Sequence, residues 1–436
     1  MMKRNITGVL LDWKNKPGRL PLLLYGARQV GKTYALLEFG KTHYRKVAYV
    51  NLETDPLAGA WFDGSIEPKR IVLFLEARLK ERLVPEDTLI ILDEVQSCER
   101  ALTSLKYFNE NAPEYHVAAA GSLLGVALKR ERYSFPVGNV DSVTLFPFTF
   151  EEFLWAQGEA LLAAEISAGF AANAPIPASF HQRALELYKI YLIVGGMPAS
   201  ILEYRNTGAL VTVPGVQNRI INDYIADMAK YATPGEAIKI RAAYGSIPAQ
   251  LAKENRKFQY KVIQKGGGSA LFGEALDWLE TAKVVNKCYN LTTPEIPLEV
   301  YKDFTNFKLY MSDTGLLSMT SGTPQEIILN LGETDNRFLG ALAENYVAQH
   351  FAARGRGLLY WRSDSKSGGQ AEIDFVLQEG TAIIPVEVKA SERVTSRSLN
   401  VFMKRFNPPY SIRISAKNFG FGNGIKSLPL YAAHLL

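Results

Sequence analysis

Short apolar runs punctuate the first part of the chain. Leu22–Tyr25, Val47–Leu52, Thr88–Leu92, His116–Ala120 and Ser142–Phe146 each read as a strand. The run Thr88–Leu92 is continuous enough to suit a central parallel strand covered on both faces. Between the strands the period changes. Ile71, Leu75, Leu79 and Leu83 predict a helix over 68–83, Thr33–Gly40 a second, and residues 3–13 a short amphipathic helix at the start. Phe150–Phe153 opens another. Strands alternating with helices imply a parallel sheet in a three-layer α/β sandwich.

Further on the pattern is helical from His181 to Tyr231, interrupted at Gly195-Gly196-Met197-Pro198, where paired glycines and a proline stop a helix. Residues 236–290 suggest a winged helix-turn-helix: a short helix over 247–255, an amphipathic one over 270–281 and a wing strand over 284–289. A strand and turn are expected over 304–317. Beyond Asn336 the order reads helix (336–353), strands (357–362, 371–378, 382–389), helix (396–406) and strand (410–415). The chain thereby divides into 1–156, a helical lid or linker at 157–234, the winged segment at 235–292 and an α/β domain at 293–436.

The first strand leads into Gly26-Ala27-Arg28-Gln29-Val30-Gly31-Lys32-Thr33, the spacing of a phosphate loop. Glycine lets the backbone wrap a diphosphate, and bared N–H groups at a helix start supply partial positive charge. Lys32 would reach the β- and γ-phosphates, and the Thr33 hydroxyl would ligate Mg²⁺. Asp93 and Glu94 close the central apolar strand, at the carboxyl end where such sheets bind ligands. Asp93 would hold Mg²⁺ through water and Glu94 would polarise an attacking water. Ser122, after the next strand, would sense the γ-phosphate or orient the water.

Composition narrows the rest. A 436-residue chain with 47% hydrophobic and 21% charged residues is an ordinary globular protein with room for several domains. Its net charge of +5 is too mild to demand a nucleic-acid partner. Two distant cysteines exclude a disulfide framework and fit a reducing compartment. The first residues lack the apolar core of a signal peptide, and no apolar run reaches the ~18 residues of a membrane span. A cytoplasmic protein without membrane association is expected.

The last third carries its own chemistry. If Gly380-Thr381 is a two-residue turn, Glu379 pairs with Ala382 and Asp374 falls opposite Glu387. Side chains so placed share a face, with Cβ atoms about 5 Å apart, close enough to share one Mg²⁺. Lys389 points to that face as well, and Glu344 on the preceding helix is a fourth candidate. Charged residues also alternate on ordinary exposed strands, and Pro385 removes a ladder donor.

Several stretches together carry a resemblance: Gly-Ala-Arg-Gln-Val-Gly-Lys-Thr, Leu-Asp-Glu, Ala-Gly-Ser, Phe-Pro-Phe-Thr-Phe-Glu-Glu-Phe-Leu, then Val194-Gly195-Gly196-Met197-Pro198 and Ser312-Asp313-Thr314-Gly315-Leu316-Leu317. In this order they resemble the prokaryotic AAA-type P-loop ATPases with a C-terminal domain of uncharacterised function. The resemblance implies ATP rather than GTP. Many relatives place an arginine after a glycine before the fifth strand, whereas this chain has Gly138-Asn139; Arg130 and Arg132 are the nearby substitutes for an arginine finger. Helix, three strands, helix and strand is also the core order of restriction-endonuclease-like nucleases.

Three functions compete. One is an ATP-hydrolysing switch or motor coupled to a nucleic-acid-directed, nuclease-like C-terminal domain, with DNA contacts from Lys253, Arg256, Lys257, Lys261 and Lys265 of the winged segment. The second is a regulatory ATPase whose later domains bind protein partners without cleavage; self-association into a homo-oligomer is compatible with either. A small-molecule P-loop kinase fits worst, because the downstream domains would be surplus.

Overall fold

The computed structural model describes residues 2–55, 57–122, 138–254, 256–331, 337–363, 371–391 and 397–436. They fall into two compact units, Met1–Phe146 with Thr281–Lys283, and Pro147–Glu280 with Val284–Leu436.

The first unit is built on a five-stranded, all-parallel sheet. Its order is Lys46–Asn51, Thr88–Asp93, His116–Ala120, Leu22–Tyr25, Asp141–Thr144. Thr88–Asp93 is buried at every position, as its unbroken apolar run requires. Helices Lys32–His43, Pro68–Leu79 and Glu99–Asn111 accompany the sheet. Ile71, Leu75, Leu102 and Phe108 pack with Ile90, Leu92 and Val117 in one apolar core. The helix expected over 68–83 stops at Leu79, because Lys80 turns left-handed (φ 55°). Leu83 is buried all the same, its N–H donating to Glu76 Oε1 at 2.8 Å. At the start the helix begins at Ile6 rather than Lys3 and ends at Asn15, at the expected Lys16-Pro17-Gly18 stop, where the chain is extended before Pro17.

The second unit begins with helix Phe150–Ala156, held by a reciprocal capping box between Thr149 and Glu152. Helices Ala178–Val194, Pro198–Thr207 and Val213–Lys230 follow, broken at the glycine pair as expected. After Pro234–Gly245 and Ile247–Leu251 comes Ser269–Thr281, which feeds the antiparallel hairpin of Val285–Leu291 with Lys302–Met311. The expected strand and turn over 304–317 are instead the end of that strand and a helix, Thr314–Thr320. Asp313 caps this helix, its side chain accepting the Leu316 N–H at 2.9 Å.

Helix Arg337–Ala353 leads into two sheets. One has the order Lys302–Met311, Val285–Leu291, Leu359–Arg362, Glu372–Ile373; the other Phe375–Glu379, Ala382–Val388, Ser411–Ser415, Ile425–Pro429, Gly420–Gly422. The single strand expected over 371–378 is thus divided at Asp374, whose carboxylate accepts the Val388 N–H at 2.8 Å. The turn at Gly380-Thr381 forms in the expected register, Glu379 opposite Ala382 and Phe375 opposite Val386. Pro385 is tolerated because the parallel ladder to Ser411–Ser415 begins only at Val386.

Candidate functional sites

The loop from Gly26 to Thr33 joins strand Leu22–Tyr25 to helix Lys32–His43. Gly26 has φ 144°, and a Cβ there would lie 2.2 Å from the Leu145 carbonyl oxygen; only glycine fits. Gly31 caps the helix in a left-handed conformation, and Gln29 is left-handed too (φ 65°). Ala27 and Val30 are buried, while Arg28 and Gln29 are half-buried. Lys32 is buried at 7% exposure, its ammonium donating to Gly26 O at 3.0 Å and Ala27 O at 2.8 Å.

Facing this loop is the carboxyl end of the central strand. The Thr33 hydroxyl donates to Asp93 Oδ2 at 2.8 Å, and the Tyr49 hydroxyl donates to the same oxygen at 2.9 Å. The Glu94 N–H returns to Asp93 Oδ1 at 3.0 Å, which fixes the carboxylate plane. Glu94 is left-handed (φ 51°), and its Oε2 accepts from Gln96 Nε2 at 2.5 Å and lies 3.5 Å from Ser122 Oγ. Lys32, Thr33, Asp93, Glu94 and Ser122 are therefore brought to one corner. A hydroxyl beside a carboxylate, both hard oxygens, is a donor set that fits Mg²⁺, and the glycine-lined turn at a helix N-terminus fits a polyphosphate.

Residues 18–154 match the family profile of an AAA domain. This stretch is a P-loop ATPase domain of the AAA type. Residues 185–326 and 339–433 match two families described only as domains of unknown function, DUF8612 and DUF4143. No curated protein matches the chain significantly. Among solved structures the Walker-type ATPase PABY2304 of Pyrococcus abyssi is 14% identical, with a TM-score of 0.45, over 73% of this chain and 96% of that one. The Aeropyrum pernix ORC2 protein is 13% identical with a TM-score of 0.37, over 79% and 92%. AMPPCP-bound DnaA from Aquifex aeolicus is 16% identical with a TM-score of 0.25, over 63% and 87%. Likenesses this loose carry no argument about function, and the AAA-domain match speaks for residues 18–154 alone.

Two residues of the ATPase domain escaped sequence reasoning. Tyr49 lies on the neighbouring strand, where Asn51 sits opposite Asp93 in register. Arg4, buried, donates to the Val30 carbonyl at 3.2 Å and the Phe146 carbonyl at 2.7 Å, so the chain start braces the phosphate loop. A lone arginine before a helix gives no such signal. Arg130 and Arg132 lie outside the described residues.

In the second unit a pocket of about 340 Å³ is lined by Arg256, Arg362, Glu372, Asp374, Lys389 and Ser398 among others. Glu387 is buried beside it in sequence, Lys389 Nζ lying 3.1 Å from its Oε1. Burial pushes the Glu387 carboxyl above its ordinary range, Asp374 adds to this, and Lys389 opposes it. Glu344 is wholly buried and bound to Lys308, Tyr310 and Arg256. Of the basic residues over 253–265, Arg256 turns to that carboxylate and Lys253 Nζ reaches Gln259 Oε1 at 3.4 Å. No helix among the described residues is long and apolar enough to cross a membrane.

Proposed function

We propose that this chain is a Mg²⁺-ATP-dependent switch whose nucleotide cycle drives a nucleic-acid-directed, nuclease-like C-terminal region. In the ATPase domain, the amides of Gly26–Thr33 would wrap the phosphates. Lys32 would exchange the Gly26 and Ala27 carbonyls for β- and γ-phosphate oxygens. Thr33 and Asp93 would hold Mg²⁺, which neutralises charge between those phosphates. Glu94 would orient the attacking water, with Ser122 beside it sensing the γ-phosphate.

The observation that carries the second half is the pocket around Asp374. It sets Asp374 and Lys389 beside Arg256 and Arg362, the mixture of carboxylate and cation that a phosphodiester with a divalent ion needs. The test is a nicking assay with Mg²⁺ or Mn²⁺ on single- and double-stranded DNA and RNA. Cleavage lost in Asp374→Ala, with ATP turnover retained, supports the reading; cleavage unchanged by it assigns the activity elsewhere.

One observation favours the protein-binding alternative for the winged segment. Helix Ser269–Thr281, the candidate recognition helix of that segment, exposes Glu274, pairs Asp277 and Glu280 with Lys287 at 2.9 Å each, and contains no Lys or Arg. Such a face repels phosphates. Nucleic-acid stimulation of ATP turnover that survives Glu274→Lys unchanged would place any nucleic-acid contact outside this helix.

A further inference from the structure

Helix Ser269–Thr281 offers phosphates no cation, and the pocket wall offers no excess of positive charge. Arg256, Arg362 and Lys389 are matched there by Glu254, Glu372 and Asp374. A strand that reaches the pocket needs a basic surface beside it to be held at all. Helix Arg397–Phe406 supplies one.

Its apolar and basic positions lie on different faces. Leu399 and Phe402 are fully buried, packed with Trp361 and Ile373, and Phe406 lies against the same core. Arg397, Val401, Lys404 and Arg405 follow at helical spacing on the other face, and all four are exposed. Among the described helices this one alone carries two or more basic residues and no acidic one.

Helix stability does not account for that choice. Lys404 and Arg405 stand in the last turn, where the helix dipole favours cations, but Arg397 stands in the first, where the dipole opposes them. None of the three forms a hydrogen bond or ion pair with a described residue. Arg405 lies instead over the rings of Trp361 and Phe406, at 5.7 and 5.2 Å from their centroids. Stacking of this kind orders a guanidinium and leaves its N–H donors to an incoming anion.

The same helix reaches the pocket. Ser398 lines it together with Arg362 and Lys389. Seven positions separate Ser398 from Arg405, two turns or about 10.5 Å along one side of the helix. Arg362 makes no hydrogen bond or ion pair with a described residue, and the Lys389 side chain is 38% exposed beside Glu387. Cations thus continue from the helix face into the pocket.

We propose that the exposed face of helix Arg397–Phe406 holds the phosphate backbone of a nucleic acid and leads it past Ser398 to Arg362 and Lys389. This rests on the nucleic-acid-directed reading of the C-terminal region and supplies its contact surface. An anionic membrane fits this helix less well. Membrane-surface helices present large apolar side chains to the lipid, whereas Leu399 and Phe402 are committed to the core and Val401 is the large apolar side chain left exposed.

The test is fluorescence anisotropy of a labelled DNA duplex with the full chain, in EDTA and without nucleotide, across a series of salt concentrations. EDTA removes metal-dependent cleavage, so binding is read by itself. Arg397→Gln/Lys404→Gln/Arg405→Gln should weaken binding at least tenfold at low salt. It should also flatten the slope of log affinity against log salt by about 2.7, at ~0.9 for each lost phosphate contact. Lys257→Gln/Lys261→Gln/Lys265→Gln takes the same charge from the stretch over 253–265 and should bind as wild type does. Should the first triple variant unfold, Arg397→Gln/Lys404→Gln, which leaves Arg405 on Trp361, should flatten the slope by about 1.8. Equal losses in the two triple variants, or a wild type that binds no DNA, overturn the surface. Phosphatidylserine vesicles captured by wild type and released by the first triple variant, with DNA binding unchanged, overturn it in favour of a membrane. Duplex bound through the helix but left uncut when Mg²⁺ is restored overturns the nuclease reading and leaves the surface standing.

Discussion

The carboxylate of Asp313 accepts the N–H of Gly196 at 2.6 Å, across 117 positions of sequence. It also accepts the Leu316 N–H, so one buried side chain both caps a helix and closes the break between helices Ala178–Val194 and Pro198–Thr207. Gly195 and Gly315 let the backbones meet: a Cβ on Gly315 would lie 2.5 Å from Gly195 N. Gly315→Ala should therefore destabilise the second unit by about 2–4 kcal/mol, since backbone atoms have less room to yield than a repacked side chain. Gly245→Ala, with nothing within 4 Å, is the control and should be neutral or slightly stabilising. Urea unfolding of both variants checks this.

Acid should weaken the same unit. His350 accepts the Phe150 N–H at 2.9 Å through Nε2 and donates from Nδ1 to the Tyr346 carbonyl at 2.8 Å, so it must stay neutral. Burial lowers its pKa to about 4, and that of nearby His434 to about 3. A histidine whose folded pKa is depressed contributes stability above about pH 6.5 that is lost as pH falls through the folded value. Asp313 acts in the opposite sense. Burial raises it to about 6, so stability grows as pH drops from there towards 4. Glu387, raised by burial as well, acts in the same sense as Asp313, so the two histidines leave a net loss between pH 6 and 4 of under about 1.4 kcal/mol per pH unit. Urea midpoints of wild type and His350→Gln across that range test it; an identical pH slope in the two contradicts a neutral His350.

In the ATPase domain, Tyr49→Phe should leave the fold intact and weaken Mg²⁺ use. The hydroxyl is one of two side-chain donors on Asp93 Oδ2. Its removal should cost about 1 kcal/mol, or roughly fivefold in apparent Mg²⁺ affinity. Turnover measured against Mg²⁺ at saturating ATP reads this directly.

The parts legible in the sequence were those where local chemistry dictates the outcome. The phosphate loop needs its glycines wherever it occurs, and the strand Thr88–Asp93 is buried throughout because nothing in Leu89–Leu92 tolerates water. The turn at Gly380-Thr381 fixed the register of its hairpin through glycine's freedom at φ 60°. What stayed hidden depended on distant partners. Glu344 read as a candidate metal ligand, but its surroundings come from Arg256 and Lys308, which no spacing connects to it. Asp374 divides a strand that the apolar pattern runs straight through, because its carboxylate captures a backbone N–H fourteen positions away.

The two chemistries should separate cleanly. Asp374→Ala should remove Mg²⁺-dependent strand cleavage and leave the ATPase rate within twofold of wild type, as the two sites draw on different residues. Parallel loss of both activities would contradict independent sites.

The central claim is that Lys32 serves a nucleoside triphosphate bound in the loop Gly26–Thr33. Steady-state phosphate release with Mg²⁺-ATP, wild type against Lys32→Ala, tests it most directly. Hydrolysis by the wild type that falls at least a hundredfold in the variant is predicted, on the scale of losing one charge contact to the transferring phosphoryl group. Equal rates in the two proteins would contradict it.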